Sequence, residues 1–330
     1  MRPIATTLAE ALLVSRTSTP SPATKGETFV DQAEKTMGTE RGIKQETRGS
    51  YPAAWRHQQP AGERPCEPMI VSRWLGLAFG LGLAYGVICL LMLAAQRSLI
   101  YFPRPAAAPV GQLKLTVEGK QIRVAHRPHP GPQALIYFGG NAEDVSLTLG
   151  ELTVLRPDTA LYLLHYRGYG GSEGRPSERA LRTDAQSLYD YVIESHSQVS
   201  VAGRSLGTGP AVHLAATRQV ERLVLLVPFD SLLSVAQKAM PWLPVNLLLH
   251  DRWDAAAEAP NIRAPTTIVA AEFDAVVPLV HARTLHRAFQ GEVAELVVAS
   301  DLDHNTPILN STCFQAALAP ENRGGTNGIC

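Results

Sequence analysis

The chain has no excess of either charge. Over 330 residues, 30 basic side chains balance 30 acidic ones, so nothing in the composition drives nucleic-acid binding. Cysteine is scarce: Cys66, Cys89, Cys313 and Cys330 are the only four, and none stands in C-x-x-C spacing. That excludes a disulfide-rich framework and a cysteine-cluster zinc site. At most, Cys313 and Cys330 pair in an oxidising compartment, and free thiols are the plainer expectation. No internal repeat is visible. Charged residues make up only 18% against 45% hydrophobic, which excludes wholesale disorder and allows a sizeable core.

Residues 1–68 are rich in Thr, Ser, Pro, Gly, Gln and charge, with no apolar period beyond residues 8–14. Such a stretch buries too little apolar surface to offset the entropy of ordering it, so it reads as disordered. Met69 is an equally plausible start, which would make 1–68 a mis-assigned extension. From Trp74 to Ala95 no residue is charged. At about 1.5 Å per residue, a helix of this length crosses a hydrocarbon core of about 30 Å. Trp74, Tyr101 and Phe102 lie near its ends, as interfacial aromatics do. An uncleaved anchor is preferred to a buried helix or a cleaved signal peptide. Gly76, Gly80, Gly82 and Gly86 have the spacing that lets two helix backbones approach, a weak pointer to self-association. Arg73 precedes the span and Arg97 and Arg104 follow it, which gives no decisive bias; if residues 1–68 belong to the protein, Arg56 and Arg64 tilt the amino end toward the cytoplasm and the folded domain away from it.

After an Ala/Pro linker, residues 113–118 and 121–126 alternate as an edge hairpin. Short apolar runs then predict strands over 134–138, 160–165, 199–202, 222–227, 266–270 and 293–298. Helical patterns fall between them, over 144–155, 178–194, 206–217, 231–240 and 279–289. Continuous β-branched runs imply strands buried on both faces, and their alternation with helices implies a doubly wound, mostly parallel α/β sheet. The expected layout is an anchor over 74–95, a domain over 98–319 and a flexible tail over 320–330.

Gly203-Arg204-Ser205-Leu206-Gly207 sits where a strand ends and a helix begins. This G-x-S-x-G turn must be sharp to lift the Ser205 hydroxyl above the sheet, and its glycines remove side chains that would collide. A serine needs a base, and the base needs an orienting carboxylate. Asp274 and His304 follow in the order Ser, Asp, His, each in a loop after a strand. The bland alternatives are a turn carboxylate and a solvated histidine. The other histidines fall in helices, in the hairpin and its exit, in the leader, or in loops away from these. Asp301 and Asp303 are too near His304 along the chain to turn back on it and should shape its turn. Asp230, before Ser231-Leu232-Leu233, reads as a helix cap. For a tetrahedral oxyanion, the Leu206 amide is one donor; Gly139-Gly140-Asn141-Ala142 offers a second, best assigned to the Asn141 amide. No metal-ligand cluster is present, and this chemistry needs no cofactor.

Gly139-Gly140-Asn141-Ala142, the run from His165 through Gly174 (HYRGYGGSEG), the Gly203–Gly207 turn and the Asp274 and His304 loops together resemble the α/β-hydrolase superfamily. The apolar span and Gln96-Arg97-Ser98-Leu99-Ile100-Tyr101-Phe102-Pro103 resemble its membrane-anchored α/β-hydrolase-domain proteins, near lysophospholipase-, depalmitoylase- and serine-aminopeptidase-like hydrolases. The likeness runs from about Gln96 to Leu318. One departure is Gly139-Gly140 where the family usually has His-Gly. The resemblance implies a membrane-tethered serine hydrolase cleaving a small-molecule ester or thioester through an acyl-enzyme. A peptidase on the same fold and a non-catalytic binding module remain alternatives. The segment between Pro228 and Pro265 leaves little room for a large lid, so a fairly open site is expected.

Overall fold

The computed structural model describes residues 68–107 and 112–319. The leader, the tail, Cys66 and Cys330 therefore lie outside the described residues, except for Pro68, which opens helix α1 (Pro68–Ile100). Residues from Leu83 onward form one compact unit, and the described residues before it fall in a second. Helix α1 outruns the expected span at both ends. Its stretch Ser72–Ile100 is long and apolar enough to cross a membrane, and its most apolar window is not buried.

The described residues build one eight-stranded sheet in the order β1-β2-β4-β3-β5-β6-β7-β8. β1 (Gln112–Val117) and β2 (Lys120–Arg127) form the expected hairpin, and β2 continues antiparallel onto β4 (Ala160–Leu164). The other pairings are parallel. They join β4 to β3 (Gln133–Phe138), then β5 (Gln198–Arg204), β6 (Arg222–Leu226), β7 (Thr266–Ala271) and β8 (Ala294–Ala299). β4 and β7 are buried at every position, which explains why they read as unbroken apolar runs.

Helices cover both faces. On one lie α3 (Glu178–Ile193), α4 (Thr208–Thr217) and α8 (Leu279–Ala288), whose Leu181, Leu188, Ala211 and Leu285 join a core with Ile136, Val201 and Ile268. On the other lie α2 (Val145–Leu155) and α9 (Thr312–Leu318), packing Leu149, Leu152, Phe314 and Ala317 against Leu135, Leu163 and Val269. Side-chain caps start three of these helices, α2, α3 and α9. Asp144 accepts from the Ser146 amide, Ser177 from Ala180 and Ser311 from Phe314.

Three short helices escaped the pattern reading: α6 (Val245–Leu248), α7 (Ala255–Glu258) and α9. Each spans two turns or less, too short to display a 3.6-residue period. The helix expected at 206–217 begins instead as a 3₁₀ turn, Ser205–Gly207, before α4. The cap of α5 (Leu232–Ala239) is Ser231, not Asp230: the Ser231 side chain accepts from the Ser234 amide at 3.0 Å. The expectation of a free Cys313 thiol is also corrected. Cys313 is buried and disulfide-bonded, while Cys89 is free.

Candidate active site

Parallel register brings the carboxyl ends of β3, β5 and β6 to one edge, with Phe138 opposite Gly203 and Gly203 opposite Leu225. β5 turns there into Ser205, whose φ is +49°, a left-handed conformation that a serine adopts only when its surroundings impose it. The surroundings do so sterically. A Cβ on Gly207 would lie 2.0 Å from the Phe138 carbonyl oxygen, and one on Gly203 would lie 2.4 Å from that of Gly207. Only glycines let strand, turn and helix approach this closely.

The three residues singled out for nucleophile, base and carboxylate meet at this edge. Ser205 Oγ lies 2.8 Å from His304 Nε2, and His304 Nδ1 lies 2.7 Å from Asp274 Oδ2. Asp274 and His304 are both buried. The other Asp274 oxygen accepts the Val276 and Val277 amides, each at 2.8 Å, which fixes the carboxylate in its loop after β7. Asp303 shapes the turn around His304 by accepting the Asn305 amide at 2.8 Å and the Thr306 hydroxyl. Asp230 does not reach His304. It accepts from His281 Nδ1 at 2.8 Å, from the Ser231 amide and from the Ser234 hydroxyl. Burial raises its carboxyl pKa, but these hydrogen bonds outweigh burial and hold it below the usual aspartate value.

Asn141 and Leu206 line the same cavity as Ser205. The Asn141 side chain is committed elsewhere. Its Oδ1 accepts from the Phe102 amide, the Ala142 amide and the Tyr169 hydroxyl, and its Nδ2 donates to the Ile100 carbonyl at 2.7 Å. It thereby ties the loop after β3 to the segment leaving α1. Two supports were missed from the sequence. Glu143 accepts from the Gly140 amide at 2.6 Å, from Tyr137 and from Thr148, bracing the loop from below. Arg204, the variable residue before the serine, donates to the His304 and Thr306 carbonyls at 3.2 and 3.1 Å. A glutamate three residues after a glycine was a visible signal for the first; nothing local signals the second. Burial, reinforced by the Glu143 charge, pushes the Tyr137 and Tyr166 phenols well up, so both stay O–H donors, Tyr166 to the Gly139 carbonyl.

The cavity holds about 280 Å³. α5, α6 and the end of α1 wall it, so Ser205 faces an apolar cleft that stays partly open. Among the described residues its lining includes no charged side chain, and Gln96, Asn141 and Ser205 are its polar members.

A doubly wound sheet with a glycine-flanked serine turn at its carboxyl edge defines the α/β hydrolases as a class of protein. The comparisons agree. A family model described as TAP-like protein matches residues 250–320, the segment that contains Asp274 and His304. An uncharacterized protein of Mycobacterium tuberculosis is 35% identical over 246 residues, covering 68% of this chain and 86% of its own. The α/β-hydrolase domain-containing protein WAV2 of Arabidopsis thaliana is 27% identical over 178 residues, covering 47% of this chain and 57% of its own. The fold is also like that of the Pyrococcus furiosus esterase Pf2001, with a TM-score of 0.52 at 14% identity over 62% of this chain and 91% of that one. The chain belongs to the α/β-hydrolase superfamily.

Proposed function

We propose that the protein is a membrane-tethered serine hydrolase that cleaves a carboxylic ester or thioester. The observation that carries this reading is the line of contacts from Ser205 Oγ through His304 to Asp274, beside an apolar cavity. Ser205 Oγ attacks the acyl carbonyl and gives its proton to His304 Nε2. Asp274 holds Nδ1 protonated, so that Nε2 is free to accept. The Leu206 and Asn141 amides donate to the oxyanion. Collapse expels the alcohol or thiol, which takes the proton from Nε2. Water, activated by the same nitrogen, then releases the acid from the acyl-enzyme.

The cavity favours an ester over a peptide substrate. A peptide laid along it would bury its own N–H and C=O groups against apolar side chains, at about 1–3 kcal/mol for each group left unpaired. Helix α1 supplies the tether. The disulfide at Cys313 supports an oxidising, extracytoplasmic side for the domain. A fluorophosphonate probe on the purified full chain tests the reading: labelling that disappears in Ser205→Ala is expected. An unlabelled but folded protein would favour a binding module, and turnover of peptides but not esters would favour the peptidase.

A further inference from the structure

Most side chains of α1 that meet the domain fall on one stripe. Tyr85, Cys89, Met92, Gln96 and Ile100 are spaced by three or four residues, the pattern of a single helix face. Tyr85 donates to the Trp242 carbonyl at 2.9 Å. Cys89, Met92 and Ile100 pack on the small apolar cluster of Leu243, Val245 and Leu249. Met92, Gln96, Leu99 and Ile100 then continue into the lining of the Ser205 cavity, opposite residues such as Ala236.

This end of the helix is fixed. Gln96 is buried, its Nε2 donating to the Leu248 carbonyl at 3.2 Å and its Oε1 accepting the His250 amide at 2.8 Å. Its polar atoms are therefore occupied by the protein's own groups. Just beyond, Arg97 meets Asp251 at 3.4 Å, and the Tyr101 hydroxyl donates to Asp251 at 3.0 Å while accepting from Trp253 Nε1 at 3.2 Å. On the same side, Trp242 and Leu247 are 56% and 76% exposed, an apolar margin beside a helix built to cross a bilayer.

We infer that the last turns of α1 form one wall of an acyl-chain pocket, with Met92 and Leu99 setting chain length, and that the substrate is a medium-chain acyl ester drawn from the bilayer. The inference rests on the serine-hydrolase reading and adds to it a substrate class and the residues that select it. The volume of about 280 Å³ lies just below the roughly 300 to 1,000 Å³ usual for ligand pockets, and so matches a medium chain better than a long one.

The test uses the full chain in detergent with p-nitrophenyl acetate, butyrate, octanoate, laurate and palmitate. Rates kcat/KM should rise from acetate by up to about fourfold per buried methylene and stop rising before palmitate. Met92→Trp should move the optimum to shorter chains, costing on the order of tenfold on laurate and little on acetate, as losing one to two buried methylenes would. Met92→Ala should move it to longer chains and serves if the larger side chain prevents folding. Leu91→Trp, on the exposed face of the same helix, should leave the profile as it was. A final arm offers monooctanoylglycerol in phosphatidylcholine vesicles and, at the same total concentration, as free monomers in solution, the vesicle arm being the faster. Failure of wild-type protein to take the fluorophosphonate would sink the hydrolase reading itself. With labelling intact, a preference for acetate, or a profile that neither Met92 variant moves, would overturn the acyl pocket. A faster monomer arm would overturn delivery from the bilayer.

Discussion

Replacing Asp274 by Asn isolates the part of the site that depends on one proton. Asp274 Oδ1 accepts two amides, Val276 and Val277, and Oδ2 faces His304 Nδ1 at 2.7 Å. An asparagine keeps both amide bonds only by placing its oxygen there, which turns its NH₂ toward Nδ1. That nitrogen must then accept, so the proton moves to Nε2, where it faces Ser205 Oγ 2.8 Å away. The base is lost while the fold is kept. The serine-protease precedent puts the cost at about 10⁴ in kcat, equivalent to about 5.4 kcal/mol at 1.36 kcal/mol per tenfold. Asp230→Asn is the matched control. It weakens a bond from His281 to a carboxylate, worth about 1.5–3 kcal/mol as a charged hydrogen bond, but it touches neither Ser205 nor His304 and should cost stability rather than rate. Both variants are assayed on one p-nitrophenyl ester, with thermal melts alongside. A larger loss of kcat in Asp230→Asn than in Asp274→Asn would refute the assignment.

The remaining predictions concern stability and positioning. Gly207→Ala would drive its methyl into the Phe138 carbonyl at 2.0 Å, so folded protein should be lost; a soluble variant with a wild-type melt would contradict the steric argument. Because hydrogen bonds hold the Asp230 carboxyl below its usual value, its contribution is present above the ordinary aspartate range and is lost as pH falls through the folded pKa. Melting temperature should therefore fall more steeply in wild type than in Asp230→Asn as pH drops below about 4, and parallel curves would count against the pairing. Arg204→Met removes the donor to the His304 and Thr306 carbonyls, so kcat should drop by roughly 10- to 100-fold with KM little changed; an unchanged kcat would mean that the His304 loop holds itself. Truncation after Arg97 strips Cys89, Met92 and Gln96 from the domain, so it should melt lower than a chain beginning at Leu83, as read by differential scanning fluorimetry.

The sequence by itself determined the sheet and the edge that carries the candidate site, because both rest on local rules. Unbroken apolar runs at β4 and β7 mark strands covered on both faces, and their alternation with helices forces parallel crossovers. Gly203 and Gly207 announce the sharp turn at Ser205, and Asp274 and His304 each follow a strand that the same rules place at that edge. Tertiary structure alone decided which face of α1 the domain uses. The span from Trp74 to Ala95 is apolar all round, so no amphipathic stripe marks the side on which Met92 packs. It also decided that His281 joins the start of α5 as a partner of Asp230, and that Arg204 reaches His304, because those groups lie 51 and 100 positions apart. Local propensity acts over a few residues, whereas such pairs meet only once the whole sheet has brought its carboxyl ends together.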